Sequence, residues 1–339
     1  MFEKLLRPKI LKLKAYESAR SLNLTADHFL DANENFDGPY NRYPQPRPES
    51  ILNALSDYYE TSKESIFLGR GSDEAIDTLM RCFCEPGSSS ILITPPTYGM
   101  YEVSAEIQGA FVKKVPLDLD FDLNVNPVLQ SIDPSTKMIF LCSPNNPTGN
   151  VLTRDRVLSL LDRIKQDVLV VIDEAYIEFS QEESFVKELK NFENLIVLRT
   201  VSKAFGLAGL RLGVAISNPE LIAVMNKVRA PYPIAQPVVE AFEKFWAEFN
   251  PESFQTSINE YMKLKNLFVD KLKQKQEVLR VYPSQTNFVL VEFKDATQVF
   301  ERLKSKGLLV RDQQSKIKNA LRITVGSAEQ NQLILKELV

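Results

Sequence analysis

Between about Ile66 and Asn218 the chain alternates short β-rich runs with helical stretches, and this alternation restricts its fold more than any other feature. The β-rich runs are residues 66–68, 91–93, 111–115, 138–141, 168–172, 195–198 and 211–216. Helical periodicity occupies 73–83, 100–108 and 153–164. Strands separated by helix-length connections pair in parallel, and a parallel sheet is covered by helices on both faces. The expectation is therefore an α/β fold whose large domain holds a mostly parallel seven-stranded sheet between helices. The last two runs are joined only by a glycine-rich loop, too short for a helical crossover, so that pair is expected to be antiparallel.

The pattern changes after Pro231-Tyr232-Pro233. Residues 237–275 read as long amphipathic helix broken near Asn250-Pro251. Strands are expected at 287–293, 308–311 and 320–325, with a helix over 297–306, which together make a smaller α+β domain. The run Tyr43-Pro44-Gln45-Pro46-Arg47-Pro48 cannot be helix or central strand and reads as a fixed extended loop. At roughly 150 residues per domain, 339 residues suggest two domains. The expected division is 1–42 as N-terminal arm and start of the small domain, 43–235 as large domain and 236–339 as small C-terminal domain.

Composition removes several function classes. Lys plus Arg is 41 against 44 Asp plus Glu, a net charge of −3, which excludes a strongly basic nucleic-acid binder and an acidic tail. Three cysteines make no disulfide framework and suit a reducing compartment. With His28 as the one histidine, a zinc site is not expected, and His28 itself reads as a surface residue. No run of 18 apolar residues occurs, so neither a spanning helix nor a membrane partner is expected. The start is interrupted by Lys4, Arg7, Lys9, Lys12 and Lys14; it has no signal-peptide core and lacks the serine-rich character of a transit segment. Cytoplasmic localisation is the expectation.

Four constellations carry chemistry. Gly69-Arg70-Gly71-Ser72-Asp73-Glu74 follows a strand and opens a helix, where free amides attract a phosphate; an ordinary helix cap would use the same residues. Ser143-Pro144-Asn145-Asn146-Pro147-Thr148-Gly149 sits at the carboxyl end of a strand, where ligands of open α/β sheets bind, although it is also ordinary turn chemistry. Asp173-Glu174-Ala175-Tyr176 closes an apolar strand, and a carboxylate buried there needs a cationic partner such as a protonated ring nitrogen. In Thr200-Val201-Ser202-Lys203-Ala204-Phe205-Gly206, a lysine stands among small residues after another strand, with Arg211 eight residues on. Such a lysine can form a Schiff base if its pKa is depressed, and Thr200, Ser202 and Arg211 can hold a phosphate beside it.

In this order the four motifs resemble those of the fold-type I pyridoxal-phosphate (PLP) aminotransferases. Further residues narrow the likeness to the histidinol-phosphate aminotransferases and extend it over essentially the whole chain. They are Tyr16-x-Ser18-Ala19-Arg20, Asn33-Glu34-Asn35, Tyr43-Pro44, Pro96-Thr97-Tyr98-Gly99-Met100-Tyr101, Val310-Arg311-Asp312-Gln313 and Leu321-Arg322-Ile323-Thr324-Val325-Gly326. The resemblance implies a homodimeric enzyme of histidine biosynthesis that moves an amino group from L-histidinol phosphate to 2-oxoglutarate, giving imidazole acetol phosphate and L-glutamate. It implies that Lys203 binds the cofactor covalently and then serves as general base and acid, and that Asp173 pairs with the ring nitrogen. Tyr176 and Asn146 would bond the ring hydroxyl oxygen, and Tyr98 would stack on the ring. Gly71, Ser72, Asp73, Thr200, Ser202 and Arg211 would hold the cofactor phosphate, joined by Tyr43 from the neighbouring subunit. Arg322 and Arg311, with Tyr16 and Asn33 assisting, would bind the substrate anions. A threonine-phosphate decarboxylase shares these features, an aromatic aminotransferase is the next alternative, and a non-catalytic regulator would need a DNA-binding domain for which the chain has no spare length.

Overall fold

A computed structural model describes residues 4–16, 18–20, 26–164 and 167–339, so the first three residues of the basic start lie outside it. In chain order its elements are α1 (Pro8–Lys12), α2 (Glu49–Tyr58), β1 (Ile66–Arg70), α3 (Ser72–Phe83), β2 (Ser90–Ile93), α4 (Met100–Gln108), β3 (Phe111–Lys114), α5 (Val125–Gln130), β4 (Thr136–Cys142), α6 (Arg154–Arg163), β5 (Leu169–Asp173), β6 (Leu195–Thr200), β7 (Leu212–Ser217) and α7 (Pro219–Val228). There follow α8 (Gln236–Ala247), α9 (Pro251–Leu272), β8 (Val278–Val281), β9 (Phe288–Phe293), α10 (Ala296–Ser305), β10 (Arg311–Asp312), β11 (Ala320–Thr324) and α11 (Ala328–Glu337).

Seven strands form one sheet in the order β1-β7-β6-β5-β4-β2-β3. Only β7 runs against its neighbours β1 and β6; the other adjacent pairs are parallel. Alternate residues of one strand enter different cores, as the two-residue period requires. Met138 and Phe140 pack with Ile76, Leu79 and Phe83 of α3, whereas Ile139 and Leu141 pack with Val157, Leu160 and Leu161 of α6. Burial on both faces explains why β4, β5 and β6 are near-continuous apolar runs.

The second sheet is antiparallel, in the order β10-β11-β9-β8, and packs against α9, α10 and α11 through Phe268, Leu272, Val299, Leu303, Ile334 and Leu335. Two expectations need correction. The strand expected over 308–311 is the two-residue β10; Leu308 and Val310 instead press into the small core beside the ladder. Arg211 does not begin β7: with φ +51° it occupies the left-handed turn before the strand.

Candidate active site

Strand direction gathers the four motifs at one sheet edge. The carboxyl ends of parallel β4, β5 and β6 lie side by side. Because β7 runs the opposite way, it starts beside the end of β6, with Gly213 opposite Thr200. On the other side of β7, Gly69 of β1 faces the same Gly213, so the β1–α3 turn joins this edge. A cavity of about 660 Å³ opens there, lined by Gly71, Ser72, Asp73, Tyr98, Asn146, Asp173, Tyr176, Thr200, Ser202, Lys203, Arg211, Arg311 and Arg322.

The end of the cavity beside α3 and β7 is built by close backbone approach. Gly71 has φ +80°, and a Cβ there would lie 2.7 Å from the Arg211 guanidinium. A Cβ on Gly213 would lie 2.3 Å from the Ser72 nitrogen. Without those two side chains the first amides of α3 come up against β7 and Arg211. The N–H groups of a helix start, a guanidinium and the nearby Thr200 and Ser202 are a set of donors that could hold a phosphate. Asp73 in the first turn of α3 accepts a hydrogen bond from Tyr98 Oη at 3.0 Å and lies 3.7 Å from Arg211.

Asp173 is at the bottom of the cavity and only 3% exposed. Tyr101 Oη donates to one carboxylate oxygen at 2.7 Å and the Ala175 amide to the other at 3.0 Å. Burial nevertheless pushes the carboxyl up to about 6, with the Tyr101 bond opposing it. The adjacent acid, Glu174, turns away into the interior, where it accepts from Ser184 Oγ at 2.6 Å and the Phe185 amide at 2.7 Å. Lys203 places its amine 5.5 Å from the centre of the Tyr176 ring. Burial and the positive charge of Arg322 lower its pKa, against the pull of Asp173 and Asp73, which favours the neutral, nucleophilic amine.

The two asparagines divide their work. Asn145 is consumed in the loop itself, donating to Pro96 O at 2.8 Å and to Thr148 Oγ1 at 2.7 Å. Asn146 faces the cavity, and its side-chain oxygen accepts a hydrogen bond from Arg322. Arg322 and Arg311 sit directly opposite each other across the β11–β10 pair, so both reach the same cavity.

Tyr16, Asn33 and Tyr43 do not line this cavity. Tyr16 is 75% exposed, Asn33 stands in a left-handed conformation at φ +56°, and Tyr43 stacks on Tyr232 with centroids 4.4 Å apart. Sequence reasoning assigned no role to Tyr101, which on an amphipathic helix reads as a core aromatic, nor to Lys316, which stands in a polar turn. Among the described residues no group of three or more His, Cys, Asp or Glu could hold a metal, and no helix is long and apolar enough to cross a membrane.

The family model for aminotransferases of class I and II matches residues 8–338. The chain belongs to that family. It is 44% identical to the histidinol-phosphate aminotransferase of Parabacteroides distasonis, over 98% of this chain and 97% of that one. Among solved structures it is similar to histidinol-phosphate aminotransferase from Sinorhizobium meliloti in complex with pyridoxal-5'-phosphate, with a TM-score of 0.79, 23% identity and coverage of 87% of this chain and 81% of that one. It is also similar to L-threonine-O-3-phosphate decarboxylase from Porphyromonas gingivalis, with a TM-score of 0.74, 25% identity and coverage of 88% and 90%. The fold is thus that of the PLP aminotransferases, and fold alone does not separate transamination from decarboxylation.

Proposed function

We propose that the chain is a histidinol-phosphate aminotransferase, transferring the amino group of L-histidinol phosphate to 2-oxoglutarate in histidine biosynthesis. The observation that carries this reading is the pairing of Arg311 with Arg322 across two strands that face one cavity with Lys203. Like charges directly opposite in a sheet cost stability, so an anionic ligand is the natural reason for the pair. The full-length likeness to a histidinol-phosphate aminotransferase supports the same choice.

The residues present suit pyridoxal phosphate. The cavity combines a backbone cradle that side chains at 71 or 213 would fill, a buried carboxylate with no salt bridge among the described residues, and an amine of lowered pKa. When bound, the cofactor supplies the electron sink for chemistry at the substrate carbon. Ser72, Asp73, Thr200, Ser202 and Arg211 would hold its phosphate, and Asp173 would keep its ring nitrogen protonated. Tyr176 and the Asn146 side-chain amide would donate to its ring oxygen, and Tyr98 would lie against the ring. Lys203 would hold the cofactor through its amine, and the amine of lowered pKa would move the proton at the substrate carbon. Arg322 and Arg311 bind in turn the phosphate of histidinol phosphate and a carboxylate of glutamate, because a guanidinium fork fits both.

The arm (1–42), the large domain (43–235) and the small domain (236–339) belong to the same reading, as does a cytoplasmic homodimer in which Tyr16 and Asn33 serve the substrate and Tyr43 reaches the neighbour's cofactor phosphate. The test is steady-state turnover of histidinol phosphate with 2-oxoglutarate. Formation of glutamate and imidazole acetol phosphate in equal amounts is expected; release of carbon dioxide from a phosphorylated amino acid without glutamate formation would mark a decarboxylase instead.

A further inference from the structure

Lys316 stands in the turn between β10 and β11, on the same side of the cavity as the arginine pair. The turn is tied by its own backbone: the amides of Lys316 and Ile317 both donate to Gln313 O at 2.9 Å, and the Gln313 amide donates to Ala320 O at 3.1 Å. From this base the lysine reaches across to the large sheet's side, where Nζ donates to Thr97 O at 2.7 Å, one residue before Tyr98. Among the described residues Lys316, Arg311 and Arg322 have no carboxylate partner. Glu102, whose charge acts on Lys316, is itself paired with Lys114 at 2.5 Å. Asp312, the carboxylate beside them in the turn, accepts from the Gln314 amide at 2.8 Å.

We propose that Lys316 is a specificity-determining residue, completing with Arg311 and Arg322 a three-cation pocket that selects a phosphate dianion over a carboxylate. The proposal rests on the reading of the site as a transaminase for a phosphorylated amine. A phosphate monoester carries nearly two charges at neutral pH and three acceptor oxygens, whereas a carboxylate carries one charge and two oxygens. One bidentate guanidinium satisfies the carboxylate; the dianion leaves an oxygen and a charge for a third cation. An ammonium has three donors, so Lys316 can keep its bond to Thr97 O and still donate to a phosphate oxygen. Burial, and then the charges of Arg322 and Arg311, lower the pKa of Lys316 against the pull of Glu102, and the repulsion between the cations is relieved when a dianion enters.

The test uses holoenzyme and two variants, Lys316→Met and Lys316→Arg. Single-turnover half-reactions with histidinol phosphate and with glutamate give a ratio of kcat/KM values. In Lys316→Met the ratio should fall about 10- to 100-fold, mostly through KM for histidinol phosphate, and Lys316→Arg should restore most of it. Calorimetric titration of the holoenzyme with inorganic phosphate, which needs no turnover, should show weaker binding in Lys316→Met but not in Lys316→Arg. An unaltered ratio, equal losses for both substrates, or unaltered phosphate binding overturns the proposal and leaves Lys316 as a tie between the two sheets. If the wild-type enzyme does not turn over histidinol phosphate, the functional reading fails, and the phosphate titration still decides the role of Lys316.

Discussion

A carboxylate held in a cavity with a phenol and an amide as its hydrogen-bond partners and no salt bridge among the described residues is an unfinished ion pair. Asp173 has its carboxyl raised from 3.8 to about 6 by burial, despite the bonds from Tyr101 and Ala175. A folded-state pKa above the unfolded value means that the native state binds the proton more tightly. The cofactor-free protein therefore loses stability as pH rises from about 4 through about 6. Asp173→Asn removes that cost, and the Tyr101 hydroxyl can turn from donor to acceptor for the new amide. The cofactor-free variant should be more stable than wild type at pH 7, by on the order of 2 kcal/mol, and should show no gain near pH 3. In the holoenzyme the effect reverses: losing the charged partner of the ring nitrogen should lower turnover about 30- to 150-fold. Calorimetric melting of both forms, with kinetics on the loaded enzyme, checks this; a cofactor-free variant that melts lower at pH 7, or turnover close to wild type, counts against the role. The same residues mark how far the sequence could be read at this scale. Position after an apolar strand located Asp173 and Asn146, but only their resemblance to a known family separated them from Glu174 and Asn145. The neighbours have the same chemistry, and which one faces the cavity depends on how each loop folds back. Tyr101 has no local signal, because a buried aromatic on a helix becomes a carboxylate's donor only through what it packs against.

The elements that make the site do so by contact between backbones. Gly213 on β7 lets the start of α3 lie against the strand, and a Cβ there would meet the Ser72 nitrogen at 2.3 Å and the Gly71 carbonyl carbon at 2.5 Å. Both are backbone atoms that cannot rotate aside, so Gly213→Ala must push the helix start away from β7. The expected cost is about 1–3 kcal/mol of stability, accompanied by loss of the phosphate cradle. Absorbance of the bound cofactor after dialysis measures that loss; full retention would mean that the α3 amides are not the phosphate site. At this scale the sheet was legible because β4, β5 and β6 are buried on both faces and announce themselves as apolar runs, and because a short glycine-rich loop forces β7 to run backwards. The short elements were not. β8 carries the exposed residues Leu279 and Arg280 and belongs to the sheet through its pairing with β9, while β10 is a two-residue ladder fixed by β11. Pairing with a distant strand is decided by the assembled core and leaves little periodicity in four residues.

At the scale of the whole molecule, the residues expected to complete the site are divided between two places. Thirteen of them meet in the cavity. Tyr16, Asn33 and Tyr43 belong to the N-terminal segment and the loop that follows it, and a charge cluster centred on Glu34 ties the 33–43 part together. Glu34 accepts from Arg20 and Arg42, each at 2.7 Å, and from the Tyr43 amide at 2.7 Å, so Asn33 and Tyr43 are tied into one unit. The unit exposes Leu30 and Phe36 at 91% each, with Tyr43 at 49%. If Tyr43 serves the neighbour's phosphate, Tyr43→Phe should lower activity about 10- to 100-fold by removing one hydrogen bond to a charged group. Lys203→Ala should abolish activity. Subunits of these two variants, unfolded and refolded together, should then recover activity that neither has alone. The mixed dimer has one cavity with an intact Lys203 and an intact Tyr43 from the Lys203→Ala subunit. If Tyr43 acts within its own chain, every subunit of the mixture carries a defect in its own site, and activity cannot exceed that of the Tyr43→Phe fraction. Recovery toward the level of one wild-type site per mixed dimer, measured against refolded controls of each variant, is the expected result.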